Sequence, residues 1–145
     1  VKIFGFVIAV VVTVLFVYPF ESLQAPIWEV SVVDASNIPV SGARVRESYR
    51  DYSAEFKGGE ADLTTDFTGK VTFPARTLRA NLLKRFAVVL SSATAGAHAS
   101  FGPHAYVFVF GGLEGSSIKN GVVEDWTGSP RINKSVIVVH PMGSL

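Results

Sequence analysis

The chain has 145 residues, a formal net charge of +1 and no cysteine. That length bounds one ordinary domain with an appendage, and near-neutrality argues against a polyanionic partner such as nucleic acid. The missing cysteines exclude disulfides, thiolate metal sites and thiol nucleophiles, so any fold must be held by its core.

The mean hydropathy of +0.36 owes much to one run near the start. From Ile3 to Phe20, "IFGFVIAVVVTVLFVYPF" carries no charge, and its only polar side chains are Thr13 and Tyr18. About 20 apolar residues in a helix cross a hydrocarbon layer of roughly 30 Å, so residues 1–20 are predicted to form a transmembrane helix. Lys2 precedes the run and Glu21 follows it. The positive-inside rule then places the N-terminus in the cytoplasm and the rest in the periplasm or outside the cell. Phe16, Tyr18 and Phe20 would form an outer aromatic belt, with Pro19 ending the helix. Cleavage after Ala25 would set Leu23 at −3 and Pro26 just beyond, a poor signal-peptidase site, so the run is expected to be kept as a signal anchor. Gly5 and Ala9 make a small-xxx-small step which, with Phe16, is the expected helix-packing surface toward a neighbouring helix.

Residues 21–26, "ESLQAP", read as a polar linker, and residues 27–145 as one β-rich domain. "IWEVSVVD" alternates with Trp28, Val30 and Val32 inward, a half-buried strand. "ASNIPVSG" is turn chemistry: Asn37 and Gly42 tolerate positive φ, and Pro39 presets φ near −65°. In "ARVRESYRDYSAEF", Ala43, Val45 and Glu47 face one way and Arg44, Arg46, Ser48 and Arg50 the other, so the apolar face fades along the strand. Lys57–Pro74 holds a glycine-bearing loop, a strand, a turn at Asp66–Gly69 and a strand at Lys70–Phe73. "ARTLRANLLKRFAVVLSSATAG" satisfies both helical and period-two spacing, and a short helix or turn running into a strand at Phe86–Ser91 is predicted. "HAYVFVFGG" is a core strand, Asn120–Gly121 a hairpin signal, and Lys134–Pro141 the last strand. Short strands between turn signals imply an all-β sandwich of immunoglobulin or transthyretin type behind the helix.

"VVDASNIPVSGARV" resembles the opening of carboxypeptidase regulatory-like, or transthyretin-like, domains: Asp34 ends a strand, then come Pro39, Val40, Gly42, Ala43 and Val45. The family's second block, Thr-Asp-x-x-Gly before an aromatic-bearing strand, is matched by Thr65, Asp66, Gly69, Val71 and Phe73. The resemblance covers Ile27 to Pro74 and departs afterwards, where a long Arg/Leu segment replaces the family's Pro-Gly-x-Tyr strand. It implies an immunoglobulin-like sandwich serving as a spacer, a folding aid or a contact surface, and it implies no catalysis.

Candidate chemistry is sparse. His98, His104 and His140 match no common zinc spacing, and the acidic loop of Glu55, Glu60, Asp62 and Asp66 lacks an EF-hand pattern. No Gly-x-Ser-x-Gly elbow or P-loop occurs, and Glu124 and Asp125, being adjacent, would face opposite sides of a strand. No enzyme activity, metal or cofactor is therefore expected. Arg76, Arg79, Lys84 and Arg85, with Arg44, Arg46 and Arg50, form a basic group suited to lipid headgroups or an acidic subunit. Trp126, in "EDWTGSPRIN", either anchors a contact or plugs the sandwich end. Trp126, Arg79 and Arg85 are the interface candidates. The expected function is a non-catalytic accessory subunit of a larger respiratory, photosynthetic or transport complex in the membrane, its partners integral membrane subunits and the bilayer. The alternative is a tethered binding module for an envelope peptide or glycan, using the loops around Phe101–His104 and Asp125–Pro130.

Overall fold

The two sequence blocks quoted above are pressed together in space. Asp34 turns the chain by accepting backbone bonds from Ser36 and Ile38 at 2.8 and 2.9 Å, and Asn37 takes φ 63° inside that turn. Asp66 builds the second turn the same way, accepting from the amides of Thr68 and Lys70 at 2.8 and 3.0 Å. The amide of Val32 donates to Gly69 O at 2.7 Å, and Val40 donates back to Val32 O at 2.9 Å. Gly69 sits at φ +72°, and a Cβ there would lie 2.6 Å from the Val32 carbonyl oxygen, so both the conformation and the space call for glycine. Buried Thr65 ties the blocks side-on, its Oγ1 accepting from Ala43 N at 2.9 Å and donating to Val40 O at 2.8 Å.

The computed structural model describes residues 2–110, 113–115 and 125–141; the Asn120–Gly121 hairpin and Glu124 lie outside them. Its elements are α1 (Lys2–Val17), β1 (Phe20–Ala25), β2 (Ile27–Asp34), β3 (Arg44–Asp51), β4 (Gly59–Thr64), β5 (Lys70–Phe73), β6 (Arg76–Ala80), α2 (Leu82–Ala93), a 3-10 turn (Gly96–His98), β7 (Pro103–Phe110), β8 (Leu113–Gly115) and β9 (Ile132–Pro141). One sheet runs β5-β2-β9-β8, with β2 and β9 parallel; a second, antiparallel sheet runs β4-β3-β7; β1 and β6 form a separate ribbon. Trp28, Val30, Val32, Phe73, Ile137 and Val139 from the first sheet meet Val45, Ala105, Val107 and Val109 from the second in one core. Trp28 keeps its indole N–H satisfied on Ser135 Oγ at 2.9 Å.

Four expectations need correcting. The single-pass membrane anchor is overturned. Helix α1 has 16 residues, about 24 Å at 1.5 Å per residue and short of a roughly 30 Å core. Among the described residues no helix is long and apolar enough to cross a membrane. The transmembrane assignment of residues 1–20, the signal anchor, and the cytoplasmic and periplasmic placements derived from it fall with the span. The physical cause lies in the expected belt. The last helical bond there is Tyr18 N to Val14 O at 2.8 Å, and after Pro19 the chain becomes strand β1 at Phe20.

The polar linker of residues 21–26 is likewise mostly strand, for Phe20–Ala25 pair with Arg76–Ala80 and bury Gln24 and Ala25. The all-β expectation gives way to a mostly β fold with two helices. The strand expected at Phe86–Ser91 is helix α2, started by Asn81, whose side chain accepts from Lys84 N at 2.8 Å. Of its apolar residues only Val88 is buried.

Candidate functional site

Strand β7 carries small apolar residues on one side and rings on the other. Ala105, Val107 and Val109 fill the core, so His104, Tyr106, Phe108 and Phe110 must point outward and stand half-buried on the outer face of the sheet. Their centroids follow one another at 6.1, 6.0 and 6.1 Å, and Tyr52 extends the row beyond His104 at 6.1 Å. Register sets a second row alongside, with Arg44 opposite Phe110, Arg46 opposite Phe108, Ser48 opposite Tyr106 and Arg50 opposite His104.

The arginines are spread over the rings. Arg44 and Arg46 lie 4.6 and 4.9 Å from the Phe110 centroid, and Arg50 lies 4.5 Å from that of Tyr52. From β4, Asp62 grips Arg46 through two bonds of 2.6 and 2.9 Å, and Glu60 adds a third contact at 2.8 Å. The hydrogen bond from Arg46 holds the Asp62 carboxyl below its usual range and raises the guanidinium above its own. At the far end His104 Nε2 meets Asp125 Oδ2 at 3.2 Å. A hollow of about 490 Å³ opens there, lined by Ser48, Arg50, Tyr52, Glu60, His104 and Tyr106 among others. Arg50 donates through Nη2 to Phe56 O at 2.7 Å, while its buried Nε has no partner among the described residues. The rim of the hollow is set by Gly58, where a Cβ would sit 2.3 Å from the Tyr49 carbonyl oxygen.

The opposite side of β3 holds a different polar group. Glu47 is fully buried and takes Arg76 Nε on Oε2 at 2.7 Å, while Oε1 has no partner among the described residues. Burial raises its pKa, with the bond from Arg76 opposing. Asp51, also buried, accepts from Ser53 N at 2.9 Å and from Ser22 Oγ at 3.2 Å. Gln24 donates to Glu55 nearby. This group fastens the β1–β6 ribbon to the sandwich.

The residues singled out from sequence fall in several places. Trp126 is buried, its backbone bridged to Ala105 and its indole N–H on Pro130 O at 2.6 Å. Arg85 clamps the ribbon, donating to Phe20 O at 3.2 Å and Ser22 Oγ at 3.0 Å. Arg79 lies exposed against Glu21 at 2.9 Å. Gly5, Ala9 and Phe16 lie on α1 with their surfaces open, and a Cβ on Gly5 would meet nothing within 4 Å. The three histidines are dispersed over the ring row, the 3-10 turn and β9, and no metal-holding group of three His, Asp or Glu side chains occurs among the described residues. The loops of the alternative reading do converge, through His104 and Asp125. The ring row itself was missed. Its signal was period-two alternation between ring and small aliphatic residues from His104 to Phe110, hidden because both sets are apolar.

No family model matches the sequence, and no curated protein matches it. Among solved structures the chain is similar to a 3-chlorocatechol 1,2-dioxygenase from Rhodococcus opacus 1CP, at 15% identity and TM-score 0.48, over 84% of this chain and 62% of that one. It is also similar to a 9R-lipoxygenase from Cyanothece PCC8801, at 12% identity and TM-score 0.38, over 84% of this chain and 17% of that one. The chain thus spans less than two thirds of either, and neither is a carboxypeptidase regulatory-like domain. At these scores neither likeness bears on what this chain does.

Proposed function

We propose that the chain is a non-catalytic binding module, and that its ligand lies along the outer face of β4-β3-β7. The observation that carries this reading is the unbroken row from Tyr52 to Phe110, half-exposed and flanked by arginines. Large apolar rings left at a surface and framed by polar groups mark contact sites rather than solvent-facing decoration. The hollow at the Tyr52 end adds shape.

We read the scaffold as a carboxypeptidase regulatory-like sandwich, a reading supported by the locked turns at Asp34–Gly42 and Thr65–Gly69. A bracing role inside a membrane complex depended on a spanning helix, so the geometry favours the peptide-or-glycan alternative.

The test is a mixed array of glycans and peptides probed with the full chain and with Tyr106→Ala. Binding that disappears in the variant, with the thermal midpoint kept, is the expected result. Signals identical for both proteins would place recognition elsewhere and overturn the reading.

A further inference from the structure

We infer that α1 is a dimerisation helix, and that its occupant is α1 of a second copy of this chain, laid antiparallel against it. The helix stands bare. From Ile3 to Val17 twelve large apolar side chains are each at least 45% exposed, and none of them joins the core. The only polar side chain in that run, Thr13, donates from Oγ1 back to Ala9 O at 2.8 Å. Together they leave roughly 1,000 Å² of apolar surface uncovered, against about 300–600 Å² for the largest patch of a typical monomer. A stable dimer draws about 800 Å² from each partner, so surface of the right extent is present.

The pattern along one side of α1 selects the occupant. Gly5, Ala9, Val12 and Phe16 recur at steps of four, three and four, so they form a single stripe with about 16 Å between its ends. The stripe is small where it starts and large where it finishes. Reversed and laid on itself, it sets Phe16 in the gap at the partner's Gly5 and Val12 against the partner's Ala9. Every layer then joins a large residue to a small one. A Cβ on Gly5 would meet nothing within 4 Å of its own chain, so the gap is open to a partner and is not required by the fold. A parallel pair would instead press Phe16 on Phe16 and leave a void between the glycines. Two-fold symmetry makes each contact twice, and the interface closes on itself.

The neighbouring helix extends this surface. Phe20 pairs with Ala80, which sets the start of α2 beside the end of α1. Leu83, Phe86 and Leu90 form a second uncovered stripe there, 55, 68 and 58% exposed. In the antiparallel pair the tip of each α1 lies at the base of the other, so Ile3 and Phe4 are carried toward that stripe. A charged partner would have to strip water from its charges to meet either surface. A bilayer would cover α1 equally well whatever the order of residues along it, and that difference separates the two occupants.

The experiment is sedimentation equilibrium of the full chain without detergent over about 1–100 μM, where a dimer with Kd of about 10 μM or tighter is expected. Gly5→Phe fills the gap and should raise Kd by about tenfold or more. Adding Phe16→Ala moves the gap to the other end of the stripe and should bring Kd back to within about threefold of the parent. Should Gly5→Phe fail to fold, Phe16→Ala alone should weaken the dimer by about tenfold. The chain has no cysteine, so oxidation reads the orientation: a mixture of Gly5→Cys and Phe16→Cys chains should cross-link, and Gly5→Cys alone should not. A monomer throughout the range would overturn the proposal. So would a dimer whose Kd ignores the exchange, or a cross-link from Gly5→Cys alone. Equal uptake of every variant by phosphatidylcholine vesicles, with no dimer in buffer, would overturn it in favour of lipid as the occupant.

Discussion

Arg46 and Glu47 are neighbours in sequence, and each belongs to an arginine–carboxylate pair, yet they stand on opposite sides of β3. Outside, Asp62 and Glu60 hold Arg46 in a solvated network whose hydrogen bonds lower the Asp62 carboxyl. Inside, Glu47 has lost all contact with water, and desolvation outweighs the single bond from Arg76, so its carboxyl is raised. The same two functional groups therefore do opposite things across one strand. The outer pair arranges a surface at little thermodynamic consequence. The inner pair fixes how the β1–β6 ribbon sits, and one member alone would be a liability.

The largest effect should come from breaking the inner pair. Arg76→Ala leaves Glu47 buried with neither oxygen engaged, and is expected to cost about 3 kcal/mol at neutral pH in urea unfolding. An unchanged midpoint would mean that the inside tolerates a lone charge, and the contrast would collapse.

Next in size is the packing difference between adjacent residues of β7. Val107→Ala, in the core, should cost about 2 kcal/mol, whereas Phe108→Ala, on the outer face, should cost about 1 kcal/mol or less although it deletes more atoms. Equal losses would show that the rings act as a second core.

The pH response sharpens the comparison further. The raised carboxyl of Glu47 starts from 4.5, so its contribution is fully present below that pH and is lost as pH rises through the folded value. Glu47→Gln should therefore flatten the stability profile above pH 4.5 in unfolding curves taken at several pH values, and a slope that persists would assign it to another group. Asp62 behaves in reverse. Its lowered carboxyl starts from 3.8, so its contribution is present above that pH and is lost as pH falls through the folded value. Asp62→Asn should lower the thermal midpoint only slightly at neutral pH, and that small deficit should vanish as pH falls through the folded value, the smallest effect of the four.

Much of the sandwich was legible because period two meets unambiguous residues there. Trp28, Val30 and Val32 alternate with polar neighbours, and Asp34, Gly42, Asp66 and Gly69 carry turn chemistry whose physics is local. Legibility failed where burial is decided at long range. Glu47 and Asp51 look solvated in sequence because nothing local announces that the ribbon will cover them. The ribbon itself hid in a presumed linker, since Glu21, Ser22 and Gln24 find their partners on β6, β3 and the loop after β3. The apolar opening misled in another way. Its composition suits a span, but Pro19 and the strand that starts at Phe20 end the helix at Val17. For the candidate site, the pieces His104 and Asp125 were on view from the loops, while the ring row needed the core face of β7 to be known first.

The parallel seam between β2 and β9 has a consequence for how the molecule is made. Ile27 lies opposite Ile132 and Asp34 opposite Val139, so the centre of the larger sheet joins parts of the chain that are synthesised far apart in time. Such non-local pairing slows folding, because loop closure comes before its reward. Until β9 leaves the ribosome, one edge of β2 stays bare and Trp28 has no Ser135 to bond. Between the synthesis of β2 and that of β9 the nascent chain thus carries a sticky, strand-shaped edge, and that vulnerability to misassociation ends only when β9 docks.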